Sequence, residues 1–119
     1  FNISSAHYIP SKDAWKCMRT HGHTYFVNIT IAGDKLDHNG FLVNFSDLKQ
    51  LIHDQFDHYL LNDLEPFKGK SPSTEIVAQT IYTMVQDYLS NRDNQPKCVQ
   101  VFLRETPTSY VVYRQKYAH

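Results

Sequence analysis

The chain has 119 residues, and its 12 basic and 12 acidic side chains cancel to a formal net charge of zero. That length suits one domain with a small core, and the charge balance argues against a surface built for nucleic acid or anionic membrane. No apolar run reaches the length of a membrane span, and two cysteines without a signal peptide or cysteine framework point to a cytoplasmic protein.

The chain opens at Phe1 rather than methionine, which suggests the ordered part of a longer protein. Phe1 to Tyr8 reads as a strand, with Phe1, Ile3, Ser5 and His7 on one face. Ile9 to Thr20 is too long for a tight hairpin, and long loops in small domains are often functional. It carries Trp15, Cys17 and Arg19. His21 to Ala32 alternates as a second strand. His21, His23, Tyr25, Val27, Ile29 and Ile31 share one face, while Thr24, Asn28 and Thr30 share the other with the apolar exception of Phe26.

Gly33-Asp34 and Asp37-His38-Asn39-Gly40 punctuate the chain as turns, with His38 solvated. Asn44 is a helix N-cap with Asp47 three residues on, a variant of the capping box. Leu48, Leu51, Ile52 and Phe56 form the buried stripe of that helix. His53 falls off the stripe and is expected in solvent, and the helix should end near Asp57-His58. Asn62 to Pro72 is a polar loop. Ser73 caps a second helix, Glu75 suits the positive end of its dipole, and Val77, Ile81, Met84, Val85 and Tyr88 form its apolar face. Asn91 to Pro96 ends it. Cys98 to Arg104 is a third strand, with Cys98 a small core residue. Glu105-Thr106-Pro107-Thr108 is a turn, and Tyr110 to Tyr117 is a fourth strand. The order ββααββ predicts an α+β domain, with two helices covering one face of a four-stranded antiparallel sheet. The open edges of such a sheet invite oligomerisation.

Several groups carry chemistry. Two imidazoles on one strand face are half a metal site, and His7 completes a set of three if the first two strands lie side by side. Three histidines leave one position open, as in a catalytic zinc, although other divalent ions suit such a site. The competing reading is a set of ordinary surface or hydrogen-bonded histidines. Cys17, near the metal ligands and Arg19, fits a thiolate base; it fits equally a fourth ligand closing a structural site. Asp57-His58 can share a proton or simply end a helix with favourable charge. Glu105 is either a solvated acid or a carboxylate shaped to accept two N–H groups from a guanidine-like heterocycle edge.

His7, the stretch Cys17-x-x-x-His21-Gly22-His23, Asp57-His58-x-x-Leu61-Asn62, Pro72-Ser73-Thr74-Glu75 and Arg104-Glu105-Thr106 occur in this order. Together they resemble the 6-pyruvoyltetrahydropterin synthase family over essentially the whole chain. The short interval from Cys17 to His21 resembles its 6-carboxy-5,6,7,8-tetrahydropterin synthase branch, of the queuosine pathway. The resemblance implies the tunnelling or T-fold and a homohexamer of stacked trimers with active sites between subunits. It implies Zn2+ on His7, His21 and His23, and Cys17 as the proton-abstracting thiol. Asp57 and His58 become a proton relay, Glu105 the acid that holds the pterin's amino-pyrimidine edge, and Thr74 a helper in anchoring the ring. The implied substrate is 7,8-dihydroneopterin triphosphate, and the products are 6-carboxy-5,6,7,8-tetrahydropterin, acetaldehyde and triphosphate. The pyruvoyl-forming reaction, without carbon–carbon cleavage, is the competing enzyme. A non-catalytic, zinc-stabilised module that binds a heterocycle is the competing class. Arg19, Lys68 and Lys70 are cationic candidates for the triphosphate. One departure stands out: Asn44 precedes Phe45 where the family often has Asp, and Leu42 stands at a Val position. Both Asn and Asp cap helices, so no loss of fold is expected.

Overall fold

The computed structural model describes residues 1–7, 21–56 and 73–115, with the backbone alone at 4–7 and 21–23. Its elements are β1 (Asn2–His7), β2 (His21–Ala32), α1 (Phe45–Phe56), α2 (Thr74–Ser90), β3 (Lys97–Thr106) and β4 (Ser109–Arg114). The four strands form one sheet in the order β1-β2-β3-β4, antiparallel throughout. The order ββααββ and the α+β class are therefore as expected. The two helices are inserted between the central pair, β2 and β3, with α1 packing on β1 and α2 on β3 and β4.

Both helices start where the sequence places them. The Asn44 side chain accepts the Ser46 N–H at 2.9 Å. Ser73, extended at φ −63° and ψ 163°, accepts the Ile76 N–H through Oγ and caps α2. Such caps satisfy donors that a helix start leaves unpaired, each contributing about 1 kcal/mol. The core joins Ile3, Tyr25, Val27 and Leu103 of the sheet to Leu48, Ile52 and Phe56 of α1 and to the inner face of α2. Each full burial of such an aliphatic side chain stabilises by about 1.5–3 kcal/mol. Among the described residues, no helix is long and apolar enough to cross a membrane.

Some expectations need correcting. Leu51 is only half-buried, as are Met84 and Tyr88, whereas Ala78 and Leu89 are buried on α2. The seam of α2 thus runs through Ala78, Ile81, Val85 and Leu89, and Met84 and Tyr88 flank it. His53 is not solvated: it is half-buried, its ring 5.5 Å from that of Phe1, because α1 packs against β1. Cys98 is fully buried, as expected. His38 is exposed in its turn, also as expected. The ends proposed near Asp57-His58 and Tyr117, and the loop Asn62 to Pro72, lie outside the described residues except for the last strand's body.

The third strand is longer than its alternation suggested. It carries two register shifts, one at Val99 and one at Glu105. The first lets Cys98 and Val101, three apart, both face the helices. The second makes the hairpin tight: Thr106 pairs with Ser109, so only Pro107-Thr108 forms the turn. Glu105 and Thr106, expected in the turn, are strand residues. On the face away from the helices, Phe26, Phe102 and Tyr110 form a ladder of rings, with the Arg104 guanidinium 4.8 Å above Phe26. That contact accounts for the one apolar residue on the polar face of β2.

Candidate active site

Pairing of β1 with β2 sets His7 opposite His21 and Ser5 opposite His23. Strand alternation then places His7, His21 and His23 on the face of Ile3 and Tyr25, the face that the helices cover. The strands lie side by side as the three-histidine set requires. Three imidazole-bearing residues on two paired strands are the kind of donor set that divalent metals take. Cys17, Asp57 and His58 lie outside the described residues, as do Trp15, Arg19, Lys68 and Lys70.

Glu105 and Thr74 are brought together. Thr74 opens α2, and the Ser73 cap fixes that first turn, with the Val77 N–H donating to the Ser73 carbonyl at 2.9 Å. The Thr74 hydroxyl donates to Glu105 Oε2 at 2.7 Å, joining residues 31 positions apart. Glu105 is the extra residue of the β3 bulge, and a bulge re-aims a side chain that regular pairing would place differently. The two side chains are half-buried. A cavity of about 230 Å3 lies beside them, lined also by Glu75, Thr108, Ser109 and Tyr110.

Tyr25 belongs to this neighbourhood and was not singled out from the sequence as a site residue. Its phenol pKa is raised, first by burial and second by the negative charge of Glu105, so it stays protonated across the neutral range. The available signal was its parity with His21 and His23. A larger hollow of about 350 Å3 lies between Phe1, Phe26, Phe45 and Lys49, but no carboxylate, thiol or imidazole lines it. The end of β1, the start of β2, the bulge of β3 and the first turn of α2 lie at the same end of the sheet.

Known proteins are similar to this chain in sequence and fold. The chain is 60% identical over 119 residues to the 6-carboxy-5,6,7,8-tetrahydropterin synthase of Bacillus subtilis, covering 97% of this chain and 82% of that protein. It is 32% identical over 95 residues to the protein of the same name from Synechocystis, covering 73% of this chain and 71% of the relative. Its fold is similar to the structure of 6-pyruvoyl tetrahydropterin synthase from Caenorhabditis elegans, with a TM-score of 0.77 and 26% identity, over 98% of this chain and 91% of that one. The model of the 6-pyruvoyl tetrahydropterin synthase family matches residues 1–116. With the fold, the relatives and this match in agreement, the chain belongs to the 6-pyruvoyl tetrahydropterin synthase family.

Proposed function

We propose that the chain is a cytoplasmic, zinc-dependent lyase of queuosine biosynthesis. It converts 7,8-dihydroneopterin triphosphate to 6-carboxy-5,6,7,8-tetrahydropterin, acetaldehyde and triphosphate. The observation that carries this reading is the 60% identity, over 97% of the chain, to a 6-carboxy-5,6,7,8-tetrahydropterin synthase.

His7, His21 and His23 would hold the zinc, and the open fourth position of a three-histidine set is where substrate oxygen would enter. Zinc held there supplies Lewis acidity to the hydroxyls of the substrate side chain. Cys17, as thiolate, takes a proton from that side chain. Asp57 and His58 hand a proton to or from the opposite side of the substrate. Glu105 accepts two N–H groups of the amino-pyrimidine edge, a planar bidentate match, and Thr74 holds its carboxylate through Oε2. The outer strands β1 and β4 leave sheet edges for pairing with further copies, which favours a homohexamer with sites between subunits.

The test is to incubate the zinc-loaded protein with 7,8-dihydroneopterin triphosphate and measure acetaldehyde and triphosphate. Both are expected in equal amounts. Triphosphate without acetaldehyde would establish the second reading, a pyruvoyl-forming synthase, which the likeness to the C. elegans structure favours. Release of neither overturns both. Light scattering should report a hexamer, and a stable, active monomer would remove the shared site.

A further inference from the structure

We infer that Asn39 is a site of spontaneous modification: it sheds its side-chain nitrogen through a cyclic imide with Gly40, at a rate set by opening of the turn that Asp37 holds. Of the asparagines in the chain, only Asn39 precedes a glycine. Both residues are exposed, in the connection between β2 and α1. A Cβ placed on Gly40 would meet nothing within 4 Å, so that flank of the peptide is open. Gly40 lies at φ 83°, and a residue without a side chain leaves that region for others at little cost.

The step needs only water and its hydroxide. The Gly40 nitrogen, its proton passed to hydroxide, attacks Asn39 Cγ. The N–Cγ bond forms, the Cγ–Nδ2 bond breaks, and the side-chain nitrogen leaves as ammonia with a proton from water. Water then opens the imide at either carbonyl. One opening gives aspartate; the other gives isoaspartate, whose main chain runs through the former side-chain carbon. Nothing is oxidised or reduced.

The folded turn opposes the attack. The Gly40 N–H donates to the Asp37 carbonyl at 3.0 Å, which engages the nucleophile. The Asp37 N–H donates to the Phe41 carbonyl at 2.8 Å, and the Asp37 carboxylate accepts the N–H groups of Asn39 and Phe41 at 2.9 Å. Asp37 thus holds both sides of the reacting peptide. Attack requires local opening, so its rate is that of the free chain multiplied by the open fraction. Isoaspartate puts an extra backbone carbon between these held groups. That displaces the Leu42 carbonyl, to which the Asn94 amide donates at 3.0 Å, and loosens the loop after α2.

The test holds the full chain in warm, mildly alkaline buffer and maps conversion at each asparagine by peptide mass spectrometry. Isoaspartate is read by enzymatic methylation. Conversion should occur first at Asn39. Asp37→Ala should speed it about tenfold, the factor by which loss of a charged acceptor favours opening. The chain unfolded in urea should convert faster still. Equal rates in the wild type and Asp37→Ala, or earlier conversion at another asparagine, overturn the inference. Hydrogen exchange of the Gly40 amide in the wild type serves if Asp37→Ala does not fold. Its protection should match the ratio of unfolded to folded conversion rates within about threefold, and a larger mismatch overturns control by the turn. Protein carrying isoaspartate should unfold at lower urea, and an unchanged midpoint overturns the coupling to Asn94.

Discussion

Where β2 ends and β3 begins, polar side chains close turns; where β2 begins and β3 ends, they face one another between elements. At the first end, the Asn94 amide donates to the carbonyls of Lys35 and Leu42, each at 3.0 Å, and is only 7% exposed. Asp37 Oδ1 accepts the N–H groups of Asn39 and Phe41 at 2.9 Å, wrapping a turn in which Gly40 adopts φ 83°. The Asp37 carboxylate bonds the backbone of its own turn, and the Asn94 amide ties that turn to the loop after α2. At the second end, Thr74 bonds a side chain, Glu105, which stands at a bulge beside a cavity. The contrast separates polar side chains bonded to backbone carbonyls and amides from a side-chain pair that joins two elements beside a cavity. Substitutions at the two ends should therefore fail in different assays.

The largest effect is expected at Cys17. Cys17→Ala should lower turnover by about a hundredfold or more, as loss of a general base does, with zinc retained. Zinc lost along with activity would make Cys17 a ligand instead. Next comes Glu105→Gln, which removes a charged acceptor and should cost about 2 kcal/mol of substrate binding, about thirtyfold in KM, with zinc content and urea midpoint little changed. At the opposite end the signature reverses. Asn94→Ala leaves buried carbonyls without their donor and should destabilise by about 2–3 kcal/mol in urea unfolding, with KM unaltered in the folded protein. A changed KM there would blur the distinction.

The smallest effect is at Asp37. The Phe41 N–H chiefly holds its carboxyl below the usual carboxylate range; burial opposes it as the second effect in size, and the Asn39 N–H with the nearby His38 and Arg92 adds to the lowering. Because the folded value lies below the unfolded one, the contribution is present at neutral pH. It is lost as acid takes the pH below about 4, through the folded value. Asp37→Ala should therefore flatten the acid limb of stability against pH slightly and leave kinetics alone. An unchanged limb would remove Asp37 from that role.

Local signals were legible in the residue order. Asn44 and Ser73 announced both helix starts, and the alternation from His21 to Ala32 marked β2 with its bounds. The adjacency of the first two strands was expected as well, and the backbone of His7 pairs with that of His21. Features set by pairing or docking were not legible. The bulges at Val99 and Glu105 exist because β3 must match two neighbours at once, and no local period encodes that. His53 lies off the stripe of its own helix, and packing of α1 against β1 sets its ring beside that of Phe1. Glu105 was assigned to a turn, whereas it is a strand residue at a bulge. Tyr25 read as part of the apolar face of β2, and it is fully buried there.

The insertion of both helices between β2 and β3 has a kinetic consequence. Ala32 and Lys97 must find each other across that whole excursion before the central ladder can form. Closing so long a loop yields no hydrogen bonds until late, so refolding should be slow for a domain of this size. The Thr74–Glu105 bond spans α2 and the end of β3, so it too can form only after that helix docks on the sheet.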